Sequence, residues 1–155
     1  MRFMMFMIPK VYQPDIPASE RPGENFAPPA DAVEKMMRFN EELTKAGALI
    51  SLDGLHPASK GARVAFTRNK PSVIEGAFSG AKEVIGGYWI IDAKSKQEAV
   101  EWARRVPAEE GDVIEVRQIF EMSEFPADVK KAADSPAVRA QVAKQTASKY
   151  SRTSR

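Results

Sequence analysis

The chain contains no cysteine and only one histidine, His56, among its 155 residues. Without cysteine it can form no disulfide, thiolate nucleophile or thiolate metal site, and this favours a reducing, cytoplasmic setting. A metal site would have to be built from carboxylates around a single histidine. We therefore expect neither a metal nor another cofactor.

Long apolar runs are also lacking. The run at the amino end stops at Pro9, whereas a membrane-spanning helix needs about 20 apolar residues. No small-residue cleavage pattern of the kind that ends a signal peptide follows it. We expect a β-strand over Arg2 to Ile8 and no membrane segment.

The positive charge is concentrated at the carboxyl end. Residues 126–155 hold seven basic and two acidic side chains, and the remaining residues hold 16 basic and 19 acidic ones. The length suits one domain with an appendage, so we predict a domain over 1–122 and a basic extension over 123–155, partly helical or disordered. The extension could meet a protein partner, nucleic acid or only solvent. Nucleic acid is the least favoured, because the body is mildly acidic and only Tyr150 interrupts the basic residues with an aromatic ring.

Proline and capping signals divide the domain into elements. Residues 9–29 are rich in proline and predict a long loop. Asp31 with Glu34 predicts the start of a helix that ends at Ala46, before Gly47. A short strand over Ala48 to Leu52 follows. Two extended runs, 63–67 and 72–75, flank the polar turn 68–71 and indicate a hairpin.

The strongest strand signal lies at 84–92, VIGGYWIID. A helix capped by Ser95 and terminated by Pro107 follows, and then a strand over 113–120. The order β, α, β, hairpin, β, α, β predicts an α+β, ferredoxin-like split β-α-β sandwich with a hairpin insertion and both helices on one face. Because strand 84–92 is apolar on both faces, we expect a second copy to cover the other face and form a homodimer.

Several segments resemble the YCII-related domain family, and within it the branch named for an Asp-Gly-Pro-Phe motif. The resemblance covers residues 1–120 and rests on DGLHP at 53–57, EGAF at 75–78, KEVIGGYWIID at 82–92, EAVEWARRVP at 98–107 and VIEVRQI at 113–119. It implies a dimeric α+β barrel with one cleft per subunit. Most members have no assigned activity, some are encoded beside alternative sigma factors, and related barrels include cofactor-independent enzymes.

The chain departs from the family pattern at two places. Glu75-Gly76-Ala77-Phe78 stands where the signature motif has Asp-Gly-Pro-Phe, so a carboxylate is kept and the turn-fixing proline is lost. The enzyme-like branch has a histidine on the first helix and an aspartate after the second helix, and those positions are Met36 and Val106 here. The acid/base pair that the resemblance implies is therefore missing.

The remaining candidate residues lie on loops and strand ends. Asp53 and His56 share one turn, where the carboxylate could orient the imidazole for proton transfer, and Glu75 is a further candidate catalytic carboxylate. Arg63 and Lys82 are candidate anion-binding residues, and Tyr88 is a candidate pocket wall. Each also has a purely structural interpretation, as a turn, surface or core residue.

Three functions remain open at this point. The first is a small-molecule-binding dimer, with cofactor-independent acid/base chemistry at these residues. The second is a non-catalytic accessory or regulatory module that binds a protein partner, with the basic extension as the contact. The third is direct binding of nucleic acid through the extension, which would weaken steeply with salt.

Overall fold

The structure is a computed structural model that describes residues 1–23, 25–68, 70–76 and 81–152, with side chains to residue 144. Its strands are β1 (Arg2–Ile8), β2 (Leu49–Gly54), β3 (Ala62–Thr67), β4 (Lys70–Glu75), β5 (Gly87–Asp92) and β6 (Val113–Gln118). Its α-helices are α1 (Ala30–Lys45), α2 (Lys96–Ala103), α3 (Ala127–Ala132) and α4 (Pro136–Arg152). None of the described helices combines the length and apolar character that crossing a bilayer requires.

Four strands form one sheet in the order β2-β5-β1-β6, with antiparallel neighbours throughout. This α+β arrangement is consistent with a ferredoxin-like fold. β3 and β4 pair separately as a two-stranded antiparallel sheet. The chain divides into two compact units, Met1–Ile119 and Phe120–Arg155; the first holds both sheets, α1 and α2, and the second holds α3 and α4.

One face of the four-stranded sheet is covered by α1 and α2. Phe3 and Met5 of β1 face Ile91 and Trp89 of β5 in register, and all four are buried. The helices complete this core with Phe39, Leu43 and Ala99. Each large apolar side chain buried in this way contributes about 1.5–3 kcal/mol.

A polar residue is built into that core. Asn40 of α1 is 6% exposed, and its Oδ1 accepts a hydrogen bond of 2.8 Å from Trp89 Nε1. A buried indole N–H needs such a partner. The bond therefore ties α1 to the centre of the sheet at one fixed position.

The opposite face, which we call the open face, carries Met4, Phe6, Tyr88 and Ile90. Met4 pairs with Ile90, and Phe6 pairs with Tyr88. These side chains are half-buried. Strand β5 therefore carries apolar side chains on both faces, which confirms the sequence prediction for this strand, although β5 begins at Gly87 and not at Val84.

Helix α1 begins differently from the prediction. Pro29 precedes it and no side chain caps it, so the prediction of Asp31 as N-cap is wrong. Pro29 already holds the backbone at φ −58°, and Asp31 lies inside the first turn, where a carboxylate is favourable next to the helix dipole. Helix α2 does have the predicted cap, because Ser95 Oγ accepts a hydrogen bond from the Glu98 N–H at 3.2 Å.

Candidate functional site

Three loops meet at the end of the sheet where β1 and β2 end and β5 begins. Gly54 pairs with Gly87, and the next residue along, Leu55, donates its N–H to the Gly86 carbonyl at 2.8 Å. The Gly86 N–H donates in turn to the Met7 carbonyl, also at 2.8 Å. The loops after β1 and β2 are thereby held against the segment before β5.

The proline-rich loop is fastened to the same place by Gln13. Its Oε1 accepts from the Val84 N–H at 2.9 Å, and its Nε2 donates to the Val84 carbonyl at 2.9 Å and to the Pro9 carbonyl at 2.7 Å. The side-chain amide thus satisfies both backbone polar groups of Val84, and Val84 lies outside β5. The loop also contains two short 3₁₀ turns, Lys10–Tyr12 and Ala18–Glu20, where the sequence predicted no regular element.

Tyr12 adds a second fastening. Its hydroxyl donates to the Leu55 carbonyl at 3.3 Å, and its ring meets Phe26 edge to face with centroids 6.0 Å apart. Burial raises the pKa of Tyr12 above its ordinary value of 10.0, because a phenolate would lose hydration there. Burial therefore favours the neutral phenol of Tyr12.

A cavity of about 380 Å³ opens between the loop after β2 and the segment before β5. Much of its wall is apolar and comes from Leu55, Pro57, Val84 and Ile85. A volume of this size suits a small molecule. The hydrogen bonds of Gln13 and Gly86 hold one side of this wall in place.

The polar lining consists of four side chains. His56, Lys60 and Arg63 come from one side of the cavity and Glu83 from the other. Between His56 and Arg63 lies the 3₁₀ turn Ala58–Lys60. Two cations, an imidazole and one carboxylate around an apolar wall can bind a molecule that has an apolar body and an acidic group.

Of the residues predicted from the sequence, His56 and Arg63 lie together in this cavity. Asp53 does not line it. The Asp53 carboxylate accepts a hydrogen bond of 2.7 Å from the Tyr88 hydroxyl, because the two residues are direct cross-strand partners. Asp53 and Tyr88 therefore form a polar pair beside the open face.

Glu75 and Lys82 also lie outside the cavity lining. Glu75 ends β4 opposite Ala62, and both Glu75 and Lys82 are exposed. The next residue, Gly76, has φ +74° and donates its N–H to the Gly61 carbonyl. The rest of the EGAF segment, Ala77 and Phe78, lies outside the described residues.

Sequence reasoning missed Lys60 and Glu83. A signal for Glu83 existed, because extending the antiparallel register past the Gly54–Gly87 pair brings the residues after Leu55 beside those before Gly86. Lys60 had a weaker signal, its place in a turn between Pro57 and Gly61. Met36 and Val106 pack with the core, so these positions serve the fold in this chain.

The second unit contains a separate cavity of about 590 Å³ whose lining includes Lys130, Lys131 and Arg139. Two of these cations already have partners in the same unit. Lys130 Nζ donates to the Ser123 carbonyl at 3.1 Å, and Arg139 pairs with Asp134 at 2.8 Å. These two cations therefore contact protein groups of their own unit in this structure.

A family model for the YCII-related domain matches residues 1–123. No curated protein matches the chain significantly. The matched range contains the whole four-stranded sheet, the hairpin and the cavity beside His56. The chain therefore belongs to the YCII-related domain family.

Proposed function

We propose that this protein is a homodimer that binds a small amphipathic acid in the cavity beside His56, and that His56 transfers a proton on the bound molecule without a cofactor. The observation that carries the proposal is the pairing of an apolar wall with His56, Lys60 and Arg63 in one cavity. The open face supports the dimer, because its half-buried Met4, Phe6, Tyr88 and Ile90 suit coverage by a second copy. The motifs at 53–57 and 82–92 support placement in the Asp-Gly-Pro-Phe branch.

The ligand's acidic group is assigned to Arg63 and Lys60, and its apolar body to the wall. An exposed charge contact contributes only up to about 1 kcal/mol, while the planar guanidinium adds bidentate geometry for a carboxylate. Glu83 on the other side disfavours a second negative charge. We therefore expect a monoanion to bind better than a dianion of similar shape.

Binding can be tested by titrating the protein with 1-naphthoate while observing the imidazole proton signals, which come from one residue because His56 is the sole histidine. Naphthalene-1-carboxamide is the matched uncharged probe. We expect 1-naphthoate to shift the His56 signals and the carboxamide to bind about fivefold more weakly. Equal binding of both probes would contradict the assigned role of the cations.

Arg63→Gln is the variant that locates the site, and Lys82→Gln is its control. Both remove one positive charge, but only Arg63 lines the cavity. We expect Arg63→Gln to weaken 1-naphthoate about fivefold and Lys82→Gln to leave the dissociation constant unchanged. The same loss in both variants would mean that only the overall charge of the protein matters.

The proton-transfer part has a separate test. Phenylpyruvate has an apolar ring, a carboxylate and an acidic C–H group, and its deuterium uptake in heavy water reports proton removal by a general base. We expect the parent protein to accelerate uptake and His56→Gln to remove the acceleration while 1-naphthoate still binds. No acceleration by the parent would contradict proton transfer by His56 and would leave the binding role, which the titration tests, unaffected.

A second candidate function rests on α4. Val138 and Val142 lie one helical turn apart on it and are 60% and 55% exposed, and the extension is basic. This pattern favours docking of α4 on an acidic protein partner, which would make the chain an accessory module.

Val138→Glu with Val142→Glu should remove a partner captured from the host's cell extract, whereas Ala140→Glu, on the far side of the helix, should retain it. Capture by both variants would contradict the role of the valines.

A further inference from the structure

The hairpin of β3 and β4 has one apolar face and one mostly polar face. Val64 lies opposite Val73, and Phe66 lies opposite Pro71, so these four side chains share one face. Their exposure is high, with Phe66 at 76%, Val73 at 61% and Val64 at 53%. We call them the apolar face of the hairpin. The exposed Glu75, opposite Ala62, lies at the far end of the same face from the tip.

The reverse face is mostly polar. It carries Arg63, Thr67, Lys70 and Ser72 together with Ala65 and Ile74, because these residues alternate with those of the apolar face. Arg63 also lines the cavity beside His56. The position of Arg63 therefore depends on where the hairpin packs.

An isolated two-stranded hairpin is only marginally stable in water. The extensive contacts that β3 and β4 make within the described chain are with each other. Contiguous exposed apolar side chains on a soluble protein are typical of interaction surfaces when they form a large patch. Coverage of the apolar face by another surface would therefore stabilise the hairpin.

A second copy of this chain is the occupant that fits best. A stable interface buries about 800 Å² per partner, and the half-buried residues of the open face have limited surface left to bury. The two hairpins supply the missing apolar area, because two-fold symmetry makes every contact twice. Arg68 and Lys70 at the hairpin tip are exposed and can remain solvated at the rim.

We propose that each hairpin packs its apolar face on the second copy, beside the contact between the open faces, and that this contact fixes the position of Arg63 in the cavity lining. The inference rests on the dimer and the cavity proposed above. It adds a specific role for the hairpin, which is to hold Arg63 in place from behind once the partner covers the apolar face. Ligand affinity and dimerisation are then linked.

The first test compares Phe66→Asp with Thr67→Asp, adjacent residues on opposite faces of the hairpin. Sedimentation velocity should show a dimer for the parent and for Thr67→Asp. Phe66→Asp should weaken the dimer about 100-fold, since an unpaired carboxylate is costly to bury. Equal dimerisation of both variants, or a monomeric parent at micromolar concentration, would overturn the proposal.

The absence of cysteine allows a direct test of which chain covers the hairpin. Val64→Cys, prepared in normal and ¹⁵N-labelled form and mixed, is reacted with a maleimide–diazirine reagent and digested. Cross-links between light and heavy peptides support the inference, with Thr67→Cys as the control that should give few. Cross-links confined to one chain would overturn it. Flotation with phosphatidylserine vesicles gives a second check: if the parent floats with the vesicles and Phe66→Asp does not, a membrane covers the apolar face and the inference is also overturned.

The link to the cavity is read separately with 1-naphthoate. At protein concentrations below its dimer dissociation constant, Phe66→Asp should bind the probe at least about threefold more weakly than the parent. Arg63→Gln should bind the probe more weakly and still form the dimer. Unchanged binding by dissociated Phe66→Asp would overturn the role of the hairpin. A parent that dimerises through the hairpin but does not bind the probe would contradict the proposed ligand and leave the hairpin contact supported.

Discussion

The β1–β5 pair and the β3–β4 pair are both antiparallel and both rich in apolar residues, yet they lie in different environments. In β1–β5, Met5 and Ile91 are fully buried against the helices. In β3–β4, Phe66 is 76% exposed. Strand pairing satisfies backbone hydrogen bonds in both cases, but only a second layer removes the side chains from water. The difference shows that the single chain buries the side chains of β1–β5 and leaves those of β3–β4 in contact with water.

The largest expected effect comes from matched isoleucines in the two pairs. Ile91 is fully buried and Ile74 is 45% exposed. We expect Ile91→Ala to lower the free energy of unfolding by about 3–4 kcal/mol and Ile74→Ala by less than about 1 kcal/mol, measured by urea denaturation. Similar losses at both positions would show that the hairpin is as tightly packed as the core.

The next effect concerns the hydrogen bond that joins α1 to β5 in the core. Asn40→Ala removes the partner of Trp89 Nε1 and should cost about 1–3 kcal/mol, because the indole N–H is left unsatisfied. In a Trp89→Phe background the same change should cost clearly less. A double-mutant cycle with no coupling would mean that the bond does not stabilise the fold.

A smaller effect is expected where the proline-rich loop approaches β5. A Cβ at Gly86 would lie 2.6 Å from Pro9 Cγ, whereas a Cβ at Gly23 meets nothing within 4 Å. Gly86→Ala should therefore destabilise by about 1–2 kcal/mol, and Gly23→Ala should be nearly neutral. Thermal unfolding of the two variants makes the comparison.

The smallest effect is a pH dependence at Tyr12. Burial raises the pKa of Tyr12 above 10.0 in the folded state, so its contribution to stability is present below that pH and is lost as the pH rises through the raised folded value. The absorbance component removed by Tyr12→Phe should titrate at higher pH in the native protein than in urea. Coincident titrations would contradict the burial of this hydroxyl.

Local patterns predicted much of the fold. β1 and the capped start of α2 follow from apolar runs and from Ser95 with Glu98. The start of β5 could not be predicted in this way, because the backbone of Val84 is bonded to Gln13, 71 residues away in the sequence, and not to a strand. The Asp31 cap failed because Pro29 begins the helix without a side-chain cap.

The sequence predicted those site residues that lie close together along the chain, and it did not predict contacts that depend on strand pairing. His56 and Arg63 meet because one short turn joins them, and proximity along the chain is visible in the sequence. Asp53 is bonded to Tyr88, 35 residues away, and that pairing follows from strand register. The roles of the six predicted residues in binding or catalysis remain predictions for the titrations and variants described above.

We expect the proline-rich loop, held by the Gln13 side chain, to open independently of the sheet. None of the three hydrogen bonds of this side chain joins two strands, whereas the Gly86 N–H donates to the Met7 carbonyl of β1. In hydrogen exchange, the Val84 amide would therefore report local opening and the Gly86 amide a larger unfolding event. Two backbone amides only two residues apart would then measure how tightly the loop is held and how stable the sheet is.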